Sequence, residues 1–241
     1  QPTVPGLSLL GNRLPAADPR LNINTQPWSQ PVTFQNFSGS LRYTQAINSA
    51  WNWQAQLGTQ RLVNDDFLAY PYGCFDSGSS IYYADRYCPN GDFDLYDYRS
   101  LDERRTTQAA QWRVNGRWQS GAATHRLSAG VLTSRYRPRG QPQADNNSAA
   151  GTGNLFQRNS LPAVPAFTDP YANRSERSTE WFVTDAIRWS ERFETWVGLR
   201  HTRLERDSVR TNGSRATGYT QDITTPWLAA TWSLNPQAML Y

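Results

Sequence analysis

Two cysteines, Cys74 and Cys88, stand with thirteen residues between them in a stretch crowded with aromatic and acidic side chains. A pair at this spacing can bridge, remain as two thiols or, with nitrogen ligands to help, hold a metal. The two histidines, His125 and His201, are far away in sequence, so the metal reading is the weakest of the three. Around the cysteines lie Tyr70, Tyr72, Phe75, Tyr82, Tyr83, Tyr87, Phe93, Tyr96 and Tyr98, interleaved with Asp85, Asp92, Asp94 and Asp97. Tyrosine offers rigid amphipathic contact area at small entropic cost, which suits recognition of a bulky polar ligand. The same rings would also serve to pack a loop or to form an interfacial aromatic girdle. Asp92-x-Asp94 followed by Asp97 lacks the spacing and the terminal bidentate Glu of a calcium loop. There is no Gly-x-Ser-x-Gly elbow, phosphate-binding loop or cluster of metal ligands, so the chain reads as a non-enzyme without a resident cofactor.

The elements that would position such a stretch show best in residues 180–205. Trp181, Val183, Ile187 and Trp189 share one face of a first run, and Val197, Leu199 and His201 one face of a second. A tight polar turn at Ser190, Glu191 and Arg192 joins them. Period two with aromatic and β-branched enrichment predicts a β-hairpin. The opposite faces carry Glu180, Thr184, Arg188, Glu194 and Arg200, too polar for the interior of a closed sandwich. Asp185 breaks the pattern, since strict alternation puts it on the apolar side. Either it lies at a membrane edge near the turn, or a bulge rotates it away.

Other runs repeat the theme. Leu41 and Tyr43 oppose Arg42 and Thr44, and Trp51, Trp53, Ala55 and Leu57 oppose Asn52, Gln54 and Gln56. Ala110, Trp112, Val114 and Trp118 oppose Gln111, Arg113 and Arg117, while Leu127, Ala129 and Val131 alternate with Arg126, Ser128 and Gly130. Leu228, Ala230 and Trp232 mark a further strand, and residues 238–241 begin another. The links alternate in length. Residues 46–50, 120–123, 190–192 and 235–237 are short; residues 65–97, 138–174 and 207–218 read as long loops, as do residues 1–32. Short turns at one end and long loops at the other predict an antiparallel up-and-down transmembrane β-barrel, here partial, with about eight strands.

Composition agrees. Only 38% of the 241 residues are hydrophobic, yet aromatics reach 13% with ten Trp. Disordered chains are aromatic-poor, whereas barrel strands need apolar side chains only at alternate positions. The chain has no lysine, and its 24 arginines are dispersed among 20 acidic residues. No basic stripe or nucleic-acid-binding module appears, which excludes nucleic acid as an expected partner.

Residues 176–206, Glu-Arg-Ser-Thr-Glu-Trp-Phe-Val-Thr-Asp through Gly198-Leu199-Arg200-His201, resemble the paired strands of TonB-dependent outer-membrane receptors of the siderophore type. His201 stands where that family usually has an aromatic. Residues 224–241 resemble the following hairpin, and residues 82–100 resemble an extracellular loop of the family. The resemblance implies a bacterial outer-membrane protein with periplasmic short turns, contacts to outer-membrane lipid and ferric siderophore as transported ligand. It also implies energy coupling to TonB through regions absent from this sequence. Residues 1–241 are expected to form part of the barrel domain, without the plug domain, the TonB box or the remaining strands of a barrel of about 22. In such an oxidising exterior a Cys74–Cys88 disulfide is the natural reading. Trp28, Tyr72, Arg86 and Tyr87 are the expected ligand contacts, and His125 and His201 wall residues near an interface. The competing functions are a passive porin-like or adhesion barrel and, from another class, a soluble carbohydrate-binding module.

Overall fold

Alternation of side chains along a strand turns each run above into a ribbon with two unlike faces. The computed structural model, which describes residues 8–145, 151–162 and 168–241, builds these ribbons into one antiparallel sheet. Early in the chain come β1 (Ser8–Leu9), β2 (Gln30–Ala46) and β3 (Trp51–Pro71). The short strands β4 (Cys74–Asp76), β5 (Ile81–Tyr83) and β6 (Arg86–Tyr87) follow, then the long β7 (Asp92–Ser120) and β8 (Ala123–Arg139). After β9 (Ala144–Asp145) and β10 (Gly151–Asn154) come β11 (Ala172–Arg188), β12 (Phe193–Arg210), β13 (Arg215–Asn235) and β14 (Ala238–Leu240). The sheet path is β14-β13-β12-β11-β8-β7-β3-β2, with β9 and β10 added along β7. Each neighbour in the path is also the next long strand in the chain, which is up-and-down connectivity.

The short turns fall where expected, at residues 47–50, 121–122, 189–192 and 236–237. The expected long loops are shorter than their polar composition suggested. Of residues 207–218 only 211–214 form a turn, because β12 and β13 pair up to Val209 and Arg215. Within residues 65–97, β3 continues to Pro71 and β7 already begins at Asp92. Density of Asp, Gly and Asn reads as loop in a sequence, but strands that continue into water need no apolar face. Of the expected 138–174 loop, residues 146–150 and 163–167 lie outside the described residues, as do residues 1–7 of the first.

By contacts the chain divides into two compact units. One, the loop unit, takes the described residues of Gln1–Gln35, Val63–Glu103 and Gly140–Tyr171. Its core is Leu9, Ile23, Ala69, Tyr87, Phe93, Leu95 and Leu155, with Ala17, Leu21, Trp28 and Leu161 packed against it. The other, the wall unit, takes Asn36–Leu62, Arg104–Arg139 and Ala172–Tyr241.

In the wall unit, register lines the apolar positions into rows. Nearest the short turns run Trp118, His125, Ile187, Thr195 and Ala230. The next rows are Gly116, Leu127, Asp185, Val197 and Leu228, then Val114, Ala129, Val183, Leu199 and Pro226. Trp112, Val131, Trp181, His201 and Thr224 form the fourth. Trp112, Trp181, Val183, Leu199 and Leu228 are exposed, so among the described residues nothing buries this face. The register of β11 with both neighbours is continuous from Glu176 to Arg188. No bulge therefore rotates Asp185 away, and it stays on the apolar face. His125 Nδ1 lies 2.6 Å from its Oδ2, and Trp118 stacks on the imidazole at 4.7 Å between ring centroids.

Candidate ligand-binding site

The opposite face of the wall is held by ions. Glu194 bridges Arg126 and Arg188, Glu180 meets Arg200 at 3.5 Å, and Glu176 forms ion pairs with Arg174 and Arg206, each at 2.7 Å. Asn115 joins Asn52 at 2.9 Å and Ser128 at 3.0 Å, so amides continue the ladder toward β3. Gly198 belongs to this face, and the indole of Trp227 occupies the space a Cβ would need there. A surface of paired charges, amides and one indole suits water or a polar protein surface, not lipid.

The loop unit assembles the aromatic stretch around the disulfide. Cys74 and Cys88 are bonded, with Cα atoms 5.2 Å apart. Cys74 opens the β4–β5 hairpin, pairing with Tyr83, and Cys88 follows β6, which pairs in parallel with β1. Leu10 N donates to Tyr87 O at 2.7 Å, a further tie between the start of the chain and this loop. Between Tyr72 and Cys74 the backbone takes a positive φ of 83° at Gly73, where a Cβ would fall 2.6 Å from the Tyr82 hydroxyl. Only glycine adopts that conformation and admits the ring.

That close approach creates a tyrosine cluster. Tyr70 and Tyr96 stack at 5.9 Å, Tyr72 meets Tyr96 edge-on at 5.6 Å, and Tyr72 and Tyr82 are 6.5 Å apart. The Tyr82 hydroxyl donates to Tyr72 O and lies 3.5 Å from the Tyr96 hydroxyl. Burial, reinforced by the Tyr96 hydroxyl, pushes the Tyr82 phenol above the ordinary tyrosine range. Burial also raises the Asp94 carboxyl, opposed by a hydrogen bond from Tyr82. The Tyr82 phenol therefore stays a neutral donor at neutral pH. The edge of the cluster is open, with Tyr72 46% and Tyr82 39% exposed. Nearby in the same unit, a cavity of about 330 Å³ is lined by Asn22, Asn24, Ser29, Leu68 and Tyr70 among others.

The four expected contact residues separate on inspection of their surroundings. Tyr72 sits in the cluster and is exposed. Arg86 reaches Asp85 at 2.6 Å and Asn12 at 3.5 Å and keeps part of its surface in solvent. Tyr87 is fully buried in the core beside Phe93, and burial pushes its hydroxyl up to about 12. Trp28 donates from Nε1 to Leu161 O at 2.8 Å and packs on Phe67 at 5.2 Å. Tyr87 belongs to the core of the unit and Trp28, partly buried, packs against it. Tyr82, Tyr96 and Asp94 were not singled out from the sequence as contact residues. The signal was available in residues 92–98, where Asp94 and Tyr96 alternate with buried Phe93 and Leu95. Asp92, which suggested a calcium loop, instead accepts from Asn90 at 2.6 Å and Asn154 at 2.7 Å. Among the described residues there is no group of three or more metal-ligating side chains.

An apolar-outward, ion-paired sheet with up-and-down order narrows the architecture to a barrel wall, and sequence comparison decides which one. Residues 2–241 match the family described as TonB dependent receptor-like, β-barrel. The chain belongs to that family. Its membership places this TonB-dependent receptor barrel in the bacterial outer membrane and among transport receptors, which sets aside the soluble carbohydrate-binding module. No curated protein matches the sequence. Among solved structures, the open form of the ferric-catecholate import receptor Fiu from E. coli K12 superposes with a TM-score of 0.70 at 14% identity, over 98% of this chain and 39% of that one. FpvA of Pseudomonas aeruginosa, bound to a pyoverdine, gives 0.66 at 15% identity, over 97% and 29% of the two chains. BauA, the ferric preacinetobactin receptor of Acinetobacter baumannii, gives 0.65 at 13% identity, over 85% and 29%. This TonB-dependent receptor barrel chain thus spans about a third of the length of the solved receptors it resembles.

Proposed function

We propose that this chain is a barrel segment of a larger receptor that binds and imports ferric siderophores. In that reading the ion-paired face lines a channel around a plug, and energy arrives from TonB through parts of the protein outside this sequence. The apolar face contacts outer-membrane lipid. The tyrosine cluster of Tyr70, Tyr72, Tyr82 and Tyr96 carries the reading, because Tyr72 and Tyr82 present exposed phenols beside the Cys74–Cys88 bridge, a surface for a bulky polar ligand. Tyr72 and Arg86 make the contacts, while Trp28 and Tyr87 hold the platform beneath them. The solved receptors named above, among them a ferric-catecholate import receptor and a ferric preacinetobactin receptor, support the ligand class.

The test is a fluorescence titration of the full-length receptor with ferric catecholate, hydroxamate and carboxylate siderophores, each beside its iron-free form. One ferric class should bind, and Tyr72→Ala should weaken it by about tenfold, the scale of an aromatic hot spot. Binding of none of the ferric complexes would sink the function. Full-strength binding by Tyr72→Ala would move the site away from the cluster.

A further inference from the structure

Charge divides unevenly between the two units. The loop unit holds twelve acidic residues against five arginines, and the wall unit eight against nineteen. Of the five, Arg20, Arg86 and Arg99 each pair with an aspartate one or two positions away, at 3.1, 2.6 and 3.8 Å. Those pairs contribute donors without net charge, so the surplus in this unit is negative. Asp76 accepts from the Ser79 hydroxyl at 2.7 Å and from Gly78 N at 3.1 Å. Asp92 accepts from the side-chain amides of Asn90 and Asn154. A neutral donor favours the ionised carboxylate and leaves its charge in place.

Part of that charge lies in the tyrosine cluster itself. Asp92, Asp94 and Tyr96 alternate with buried Phe93 and Leu95, which puts both carboxyl groups on the face of β7 that carries the Tyr96 ring. Tyr72 N donates to Asp94 O at 2.8 Å, and Asp94 N donates to Gly73 O at 3.1 Å. The backbone thus fixes Asp94 beside the exposed Tyr72, with its carboxyl in hydrogen-bonding reach of the Tyr82 hydroxyl. Tyrosine faces act in the same direction, because the ring quadrupole attracts cations. Arg86 does not reverse the sign, since Asp85 is 2.6 Å from its guanidinium.

We infer that the tyrosine cluster selects a cationic ferric complex, of the hydroxamate type with a protonated amine on its tail, over anionic complexes of the catecholate and carboxylate types. The inference rests on the siderophore reading and adds to it the sign of the ligand's charge. Three doubly charged catecholates outweigh Fe(III) and leave the complex strongly anionic. Three singly charged hydroxamates balance the metal, and the amine then makes the complex cationic. Opposite charge steers the encounter and suppresses wrong partners. The solved catecholate receptor shares the fold at 14% identity, which leaves the charge of these loops to this chain.

Fluorescence titration of the full-length receptor tests the sign with four probes. Three are one ferric trihydroxamate with a free amine on its tail, the same complex acetylated there, and the same complex succinylated; the fourth is a ferric tris-catecholate. The amine form should bind about 30-fold more tightly than the succinylated form, with the acetylated form between them. That gap should close as salt is raised. Asp94→Asn should narrow it to about fivefold. Equal affinities for the three tails, tighter binding of the succinylated or catecholate complex, or a gap untouched by Asp94→Asn would each overturn the inference and leave the siderophore reading standing. Binding of none of the four would overturn both. The three tails compared on the unaltered receptor decide the sign even where the variant does not fold.

Discussion

In the loop unit Leu95 and Tyr87 are withdrawn from solvent completely, whereas Leu199 and Trp181 of the wall unit stand 45% and 51% exposed. The loop unit buries its apolar side chains against one another and turns its polar groups outward, as any domain in water does. The wall unit does the reverse. Glu180 and Glu194 sit in ion pairs on one face of the sheet, and Trp181, Val183 and Leu199 are presented to the other. The same alternation along a strand produces both arrangements, so the distinction lies in what medium each face meets. Lipid replaces a protein core for the wall, and a disulfide with a small core serves the loops.

The sharpest way to break that contrast is at Asp185, a carboxylate on the lipid face with His125 as partner and 16% of each side chain exposed. His125→Leu makes the face more apolar, yet it should destabilise the barrel by about 3–5 kcal/mol because an unpaired charge is left in a low-dielectric setting. Adding Asp185→Leu should recover most of the loss. Heat-modifiable gel mobility of the full-length receptor in outer membranes reads both. An unaffected single variant would mean that water, not lipid, bathes this row.

A smaller effect separates the units covalently. Cys74→Ser removes a bridge that closes a loop of ~15 residues, about 3 kcal/mol in the chain-entropy model. Limited proteolysis should then cut within residues 74–88, with the barrel's heat-modifiable mobility unchanged. Loss of that mobility as well would show that the wall depends on the loop unit for its fold.

The smallest effect is a pH response confined to the loop unit. The Tyr87 hydroxyl is pushed up to about 12 in the folded chain, against about 10 when unfolded. The folded state thus holds the proton longer, so the stability linked to it is complete below pH 10 and lost as pH rises from 10 through 12. Tyr87→Phe should flatten that decline in protease resistance of residues 74–88. A decline of unchanged steepness would assign it to another group.

How much of this was legible in residues alone varies with range. The hairpin of 180–205, the faces of Trp181 and Arg188, and the short turns followed from period two and local turn chemistry, both of which act between near neighbours. Strand ends did not. Residues 207–218 look like a loop because their composition is polar, yet backbone pairing with β12 and β13 continues through them. Of the expected ligand contacts, Tyr72 is exposed, but Tyr87 has the same composition around it and is core. What separates the two is the parallel β1–β6 contact and the disulfide, which join residues distant in the chain.

By itself, then, the sequence determined that this protein makes strands with one greasy and one ionic face, joined by alternating short and long links, because side-chain alternation is a property of the backbone. Only the tertiary structure decided which aromatics are buried, that Asp185 meets His125, and that Asp94 stands beside Tyr82. Those outcomes depend on register between strands and on loop closure, which bring together side chains that no spacing along the chain relates.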